Sequence, residues 1–317
     1  MTNDERKTSS SFPLFFFLHQ PSSPPPRQSI IASAAALIPP APIAECVVGP
    51  ALWDLAVSTG ESKSKMPLSK VLPLSVLAGA FIGYGASLAL ALGGCLTGVV
   101  HPATQRLVFG AVGFQVGLLA IATTGAELFT GNAFLFAAAV LEKRAKVEDV
   151  LPRALVCWLG NLAGVAAVAA LLVVGSSNVG VSVSGAALSS ALPPPPPPPA
   201  AGPAAALAAS KASLPALAAF SRALLCNVCV CVAVIQAASS RSMAGKAVGI
   251  WLPLSCFASL GLEHSVANMF IFALAQFSGS GAPVAGVIGN LVVVSLGNVV
   301  GAAVVLAGLL KLGHGSS

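Results

Sequence analysis

The stretch Gly125-Ala-Glu127-Leu-Phe-Thr130-Gly-Asn132-Ala-Phe-Leu-Phe-Ala137 returns, 136 residues later, as Gly261-Leu-Glu263-His264-Ser-Val-Ala-Asn268-Met-Phe-Ile-Phe-Ala273, with six of thirteen positions identical. A second match, Gly160-Asn161-x-x-Gly164 against Gly297-Asn298-x-x-Gly301, follows at an offset of 137. Internal repeats decide architecture before any local reading does. Glu and Asn are rare in apolar sequence, so their recurrence in register marks the chain as two related halves.

Both copies lie in apolar runs, about 107–140 and 247–277, each long enough to cross a bilayer. The chain is 56% hydrophobic and only 8% charged, where soluble domains carry about 25% charged residues. The reading is therefore an all-α membrane protein. A β-barrel would need alternating ten-residue segments, and these runs are continuous. The net charge of +6 would suggest nucleic acid in a soluble protein; here the basic residues sit between apolar runs, and no nucleic-acid partner is implied. Seven cysteines, most within apolar runs, imply no disulfide framework.

Taken in order, residues 1–48 form an extension rich in Ser, Pro and Ala. Its run 29–36 and the scarcity of acids after Glu5 resemble an organelle transit peptide; a disordered extension is the alternative, and with it a plasma-membrane rather than a plastid-envelope location. Residues 49–312 form the membrane domain. Residues 50–61 suit a short amphipathic helix on the membrane face, with Trp53 and Leu55 inward. Six spans follow, at about 71–98, 107–140, 151–175, 213–238, 247–277 and 284–310. The second is too long for a simple span, and helix breaks are expected at Glu127–Asn132 and Glu263–Asn268. Such backbone is tolerated at membrane depth only inside protein or along a cavity. Residues 176–210 read as a Pro-rich loop insert containing Pro193–Pro199, a polyproline II spacer, and 313–317 as a tail.

Six spans put both termini on one side. Ten Lys/Arg in loops on that side, from Lys63 to Lys311, face only Arg106 and Lys211 on the other, so the termini face the cytosol-like side. Three spans per half give the halves opposite topology. Inverted repeats with one broken helix each are the mark of a transport pathway at the repeat interface.

An acid and a histidine inside a span are expensive and mark a functional site. Glu127 and Glu263 are expected to accept backbone N–H groups opened by the breaks. Asn132 and Asn268 are expected to satisfy the same loops, and Asn161 and Asn298 to bond across to them. His264 has Leu128 as its counterpart, so a single imidazole faces the pathway, hydrogen-bonded to Thr130. The string Cys226-Asn-Val-Cys229-Val-Cys231 lacks a second cluster to complete a metal site; no metal or cofactor is expected. A thiol oxidoreductase and a non-transporting scaffold using the proline run are the alternative readings.

Glu127-Leu-Phe-Thr130-Gly-Asn132, the Gly160-Asn161 span, Phe220-Ser-Arg222-Ala-Leu-Leu-Cys226-Asn227, Glu263-His264-Ser265-Val266-Ala267-Asn268-Met269 and Gly297-Asn298 together resemble the formate/nitrite transporter family. The resemblance implies an aquaporin-like protomer in a homopentamer within membrane lipid. Its substrates would be small weak-acid anions: formate, nitrite, and further acetate, lactate or hydrosulfide. It implies a substrate pathway of His264, Thr130, Lys211 and Asn227. An outer constriction falls on Phe114, Leu118 and Phe257, and an inner one on Leu128, Phe129 and Val230. Without the resemblance, Lys211 reads as a solvated loop charge and the apolar residues as ordinary core.

Overall fold

The computed structural model describes residues 46–179 and 202–315, all within a unit spanning Glu45–Ser317. The expectations for residues 1–45 and Pro193–Pro199 lie outside the described residues. Every regular element described is helical.

Helix α1 (Pro50–Ser64) buries Trp53, Ala56, Val57, Gly60 and Ser64, a stripe at helical spacing. Its partner is α5 (Phe129–Leu141), which supplies Phe134, Leu135 and Ala138. Leu55, expected inward, is only half-buried, because the stripe is centred on Trp53 and Gly60. Helix α2 (Leu68–Cys95) is the first span. The second starts with α3 (Pro102–Val108), passes through a π-helical turn (Phe109–Gly113) and continues as α4 (Phe114–Thr124). The widened turn frees carbonyls, and side chains take them: Gln115 Nε2 donates to Gly110 O at 2.6 Å and Trp251 Nε1 to Ala111 O at 2.7 Å. Helix α6 (Val147–Val179) completes the first half.

The second half repeats the plan. Helix α7 (Pro203–Ala212) precedes α8 (Ala216–Ser239), as α1 precedes α2. Residues 203–210 were expected inside the Pro-rich insert; they are helical because a proline at the first turn is compatible with a helix and the alanines that follow favour one. Helix α9 (Met243–Ser259), α10 (Ser265–Phe277) and α11 (Val284–Val300) follow. A π-helical turn (Gly301–Ala307) then leads to α12 (Gly308–His314). The chain thus has six spans in two inverted three-span halves, with the second and fifth broken. It is an integral, multi-pass membrane protein.

The most extensive packing in each half is α2 on α6 and α8 on α11. The repeated glycines make it possible. A Cβ at Gly164 would lie 2.0 Å from the Val76 carbonyl oxygen, and one at Gly301 would lie 2.2 Å from that of Leu224. Small residues let membrane helices approach this closely.

Candidate functional site: the paired helix breaks

Each break begins at a glycine in the left-handed region, Gly125 (φ 72°) and Gly261 (φ 66°), a conformation costly for any residue with a Cβ. The chain then runs extended to Leu128 and to His264, and α5 and α10 restart at Phe129 and Ser265. The breaks are shorter than expected: Asn132 and Asn268 already lie in the first turn of the new helices, their N–H groups bonded to Leu128 O (2.9 Å) and His264 O (2.8 Å).

Asn161 and Asn298 staple the two breaks in the same way. Asn161 Oδ1 accepts from Phe129 N (2.9 Å), while its Nδ2 donates to Glu127 O (2.9 Å) and Ser75 O (2.8 Å). Asn298 Oδ1 accepts from Ser265 N (2.9 Å), while its Nδ2 donates to Glu263 O (3.0 Å) and Ala223 O (2.8 Å). Neither amide is exposed. Each satisfies two backbone groups that a break at membrane depth would orphan at about 1–3 kcal/mol apiece, and its third bond, to Ser75 O of α2 or Ala223 O of α8, ties the break to a neighbouring helix.

The glutamates do a different job from the one expected of them. Their carboxylates take no backbone N–H. Glu127 is bound by the Lys63 ammonium and by Asn132 Nδ2 (2.6 Å); Glu263 by Lys211 Nζ (2.7 Å) and Asn268 Nδ2 (2.6 Å). Both carboxylates are 2% exposed. A neutral amide oxygen suffices for a helix-end N–H, whereas a buried carboxylate needs a countercharge.

Lys211 is therefore not a solvated loop charge. It sits near the end of α7, 9% exposed, in a buried ion pair. Asn290 also holds this half, donating to Lys211 O (2.9 Å) and accepting from Asn268 (2.8 Å). Lys63, near the end of α1, is its counterpart, which sequence reasoning took only as a topology marker. The register hid it: Lys63 precedes its glutamate by 64 residues and Lys211 by 52. The available signal was a short, proline-started helix ending near a lysine ahead of each half's first span.

His264 is where the halves differ. Its Nδ1 accepts from Ala267 N (3.1 Å), capping α10, and its Nε2 lies 2.9 Å from Thr130 Oγ1 on α5. With Nδ1 occupied as an acceptor, the neutral ring carries its proton on Nε2 and donates it to the threonine hydroxyl. Leu128 cannot cap, and α5 has no side-chain cap. Asn227 ties the halves together, Nδ2 donating to Thr130 O (3.1 Å) and Asn298 O (2.7 Å).

Around this ring the structure gathers a narrow cavity of about 10 Å³, lined by Ile82, Phe114, Leu118, Leu128, Val230, Leu254, Phe257 and His264. Phe257 stacks on His264 (centroids 5.9 Å apart) and meets Phe114 edge-on at 5.8 Å. Five of the six expected constriction residues border this one space. Phe129 does not; it is buried in the core behind its Asn161 staple. Ile82 and Leu254 were missed, since nothing separates a pore-lining aliphatic from a core one in sequence. Among the described residues no cluster of His, Cys, Asp or Glu could hold a metal.

The formate/nitrite transporter family model matches residues 50–312. The chain belongs to that family. It is 40% identical over 250 residues to a probable formate transporter of Methanothermobacter thermautotrophicus, covering 78% of this chain and 89% of the relative. It is 33% identical over 235 residues to the nitrite transporter NirC of Escherichia coli, covering 73% and 78%. Among solved structures, an FNT family ion channel superposes with a TM-score of 0.65 at 30% identity, covering 81% of this chain and 96% of the other. A pentameric formate channel with formate bound gives 0.60 at 25% identity, covering 77% and 96%. The family assigns the fold as aquaporin-like, and its named members are transporters and channels rather than enzymes.

Proposed function

We propose that this family member is a channel-like, proton-linked pathway for small monovalent weak-acid anions, formate and nitrite foremost, with acetate or lactate as further candidates. The observation that carries the reading is one imidazole as the sole polar side chain, among the described residues, lining an otherwise apolar cavity. That cavity, about 10 Å³, has room for about one water, which suits only substrates of a few heavy atoms. A bare anion does not cheaply enter such walls. The neutral acid does.

The geometry refines what His264 does. Placing a second proton on Nδ1 would set it against the Ala267 N–H that caps α10. The ring therefore acts as a neutral donor: Nε2–H turns from Thr130 to the passing substrate and back, and the accompanying proton travels with the substrate. Lys211, balanced by Glu263, holds the vestibule's shape and contributes a residual positive field, to which the N-terminal dipole end of α5 adds. Asn227 keeps Thr130 in place.

The exposed aliphatic side chains on the outer helix faces, such as Leu155, Leu217 and Ile288, suit lipid and neighbouring protomers. A homopentamer follows the relative named as pentameric. Residues 49–312 are the transporting domain, 1–48 an extension, 176–210 an insert around the Pro run and 313–317 a tail. The extension suits a plastid envelope address, with the plasma membrane as the alternative; the location of a fluorescent protein fused to residues 1–48 distinguishes them.

The test is formate and nitrite uptake into proteoliposomes with a pH-sensitive dye inside. Uptake faster at lower external pH, carrying protons inward and slowed in His264→Phe, is the expected result. Uptake indifferent to pH, or unchanged in His264→Phe, overturns the proton-linked reading.

A further inference from the structure

Helices α8 and α9 form an antiparallel hairpin whose register can be read from its glycines. A Cβ at Gly245 would lie 2.2 Å from Ser240 Oγ, and one at Gly249 would lie 3.0 Å from Gln236 Cβ. Lys246 Nζ donates to Ala237 O at 2.7 Å across the same seam. Facing positions in packed helices recur about every seven residues. Two turns beyond Gln236 and Gly249, that register sets Cys229 of α8 opposite Cys256 of α9. Neither thiol is bonded to another sulfur. Cys256 is exposed and Cys229 partly so, unlike the fully buried Cys226 and Cys231 one turn and two residues away.

The pair sits beside the pathway. Each cysteine immediately precedes a cavity-lining residue, Val230 on α8 and Phe257 on α9. Pro253 lies within α9 between Gly249 and Cys256. A proline removes one backbone hydrogen bond of the helix there, and Leu254 and Phe257 beyond it are buried against the cavity.

We propose that Cys229 and Cys256 form a redox-sensitive modification site, a reversible disulfide that clamps the Phe257 end of α9 to α8 and restricts the cavity. The oxidant class is a hydroperoxide small and uncharged enough to reach membrane depth. The Cys256 sulfur attacks one peroxide oxygen, the O–O bond breaks, and a sulfenic acid and one water form. The Cys229 sulfur then displaces the second oxygen as water, closing the S–S bond. Two thiols lose two protons and two electrons, and hydrogen peroxide becomes two waters. A thiol reductant reverses the step by exchange. The other alternative for the pair is inert packing, but a packing pair would not need one exposed sulfur in line with a second.

The effect on flux rests on the transport reading above; the crosslink does not. Purified full-length protein in liposomes is treated with hydrogen peroxide, free thiols are alkylated, and the digest is read by mass spectrometry beside formate flux. The expected result is a linked Cys229–Cys256 peptide, two fewer free thiols per chain and a severalfold fall in flux restored by dithiothreitol. Cys229→Ser and Cys256→Ser retain untreated flux and lose the response; Cys226→Ser keeps it. Peroxide treatment that yields no linked peptide, or a linked peptide with unchanged flux, overturns the proposal. Absence of flux in untreated protein, with the linked peptide present, refutes the transport reading and leaves the site standing.

Discussion

Replacing Lys211 by Met removes the countercharge of a carboxylate that is 2% exposed and left with one neutral donor, Asn268 Nδ2 at 2.6 Å. Breaking a buried ion pair from one side costs about 3–5 kcal/mol, because the partner charge stays behind. Glu263→Gln alone strands the ammonium and belongs to the same range. The double variant strands no charge. It keeps an amide at 263 to bond Asn268 and loses roughly one hydrogen bond, about 1–2 kcal/mol. The two changes together therefore cost less than either alone, a coupling of at least about 4 kcal/mol on this arithmetic. The assay is unfolding in detergent micelles at fixed scan rate, followed by tryptophan fluorescence, across the four proteins of the cycle. The mirrored cycle at Lys63 and Glu127 gives a smaller coupling, because the Lys63 side chain is 18% exposed against 11% for Lys211. Penalties that simply add, within about 0.5 kcal/mol, refute the account of the glutamates as ion-pair partners.

Asn298→Ala orphans two backbone groups at the second break, Ser265 N and Glu263 O, and unties it from Ala223 O of α8; the loss is about 2 kcal/mol or more and flux disappears with it, measured on the same unfolding and liposome assays. Thr130→Val keeps the shape and removes the His264 partner, so formate uptake falls about tenfold, equivalent to ~1.4 kcal/mol on the barrier; an unchanged rate would remove Thr130 from the pathway. Gly301→Ala drives a Cβ against Leu224 O and costs about 1–3 kcal/mol of stability, read as an earlier thermal transition. On the inner surface, Lys65 and then Arg144 hold the Glu61 carboxyl below its ordinary range by hydrogen bonding. That link between α1 and the α5–α6 loop is present at neutral pH and is lost only as pH falls through the lowered value; at pH 7, Glu61→Gln speeds tryptic cleavage after Arg144.

The architecture was largely legible because its signals are chemically rare. Glu and Asn inside apolar runs cannot be there for burial alone, so Glu127/Glu263 and Asn161/Asn298 exposed both the repeat and the breaks. What each group bonds was legible in part: Asn161 and Asn298 reach the breaks and His264 meets Thr130 as expected, while the glutamates' partners were not foreseen. The sequence-level account gave the break's N–H groups to carboxylates; the structure gives them to Asn161 and Asn298, and gives the carboxylates to lysines on helices that precede the spans. Those lysines are far away in sequence and unequally spaced, so no local pattern could join them. Residues 203–210 escaped notice as helix because an Ala/Pro composition adjoining a proline run does not separate a spacer from a short helix.

By itself, the sequence determined that this chain crosses a membrane six times in two opposed halves, and that each half carries one interrupted helix. Hydrocarbon admits few backbone solutions, and the rare polar residues left in it declare where those solutions are broken. Only the tertiary structure decided which of the many Leu, Phe and Val side chains border the pathway. It also decided that His264 spends Nδ1 on capping α10 and so presents Nε2, and that the α8–α9 register sets Cys229 opposite Cys256. Such facts depend on which helix faces meet, and apolar faces in a membrane protein look alike until they are packed.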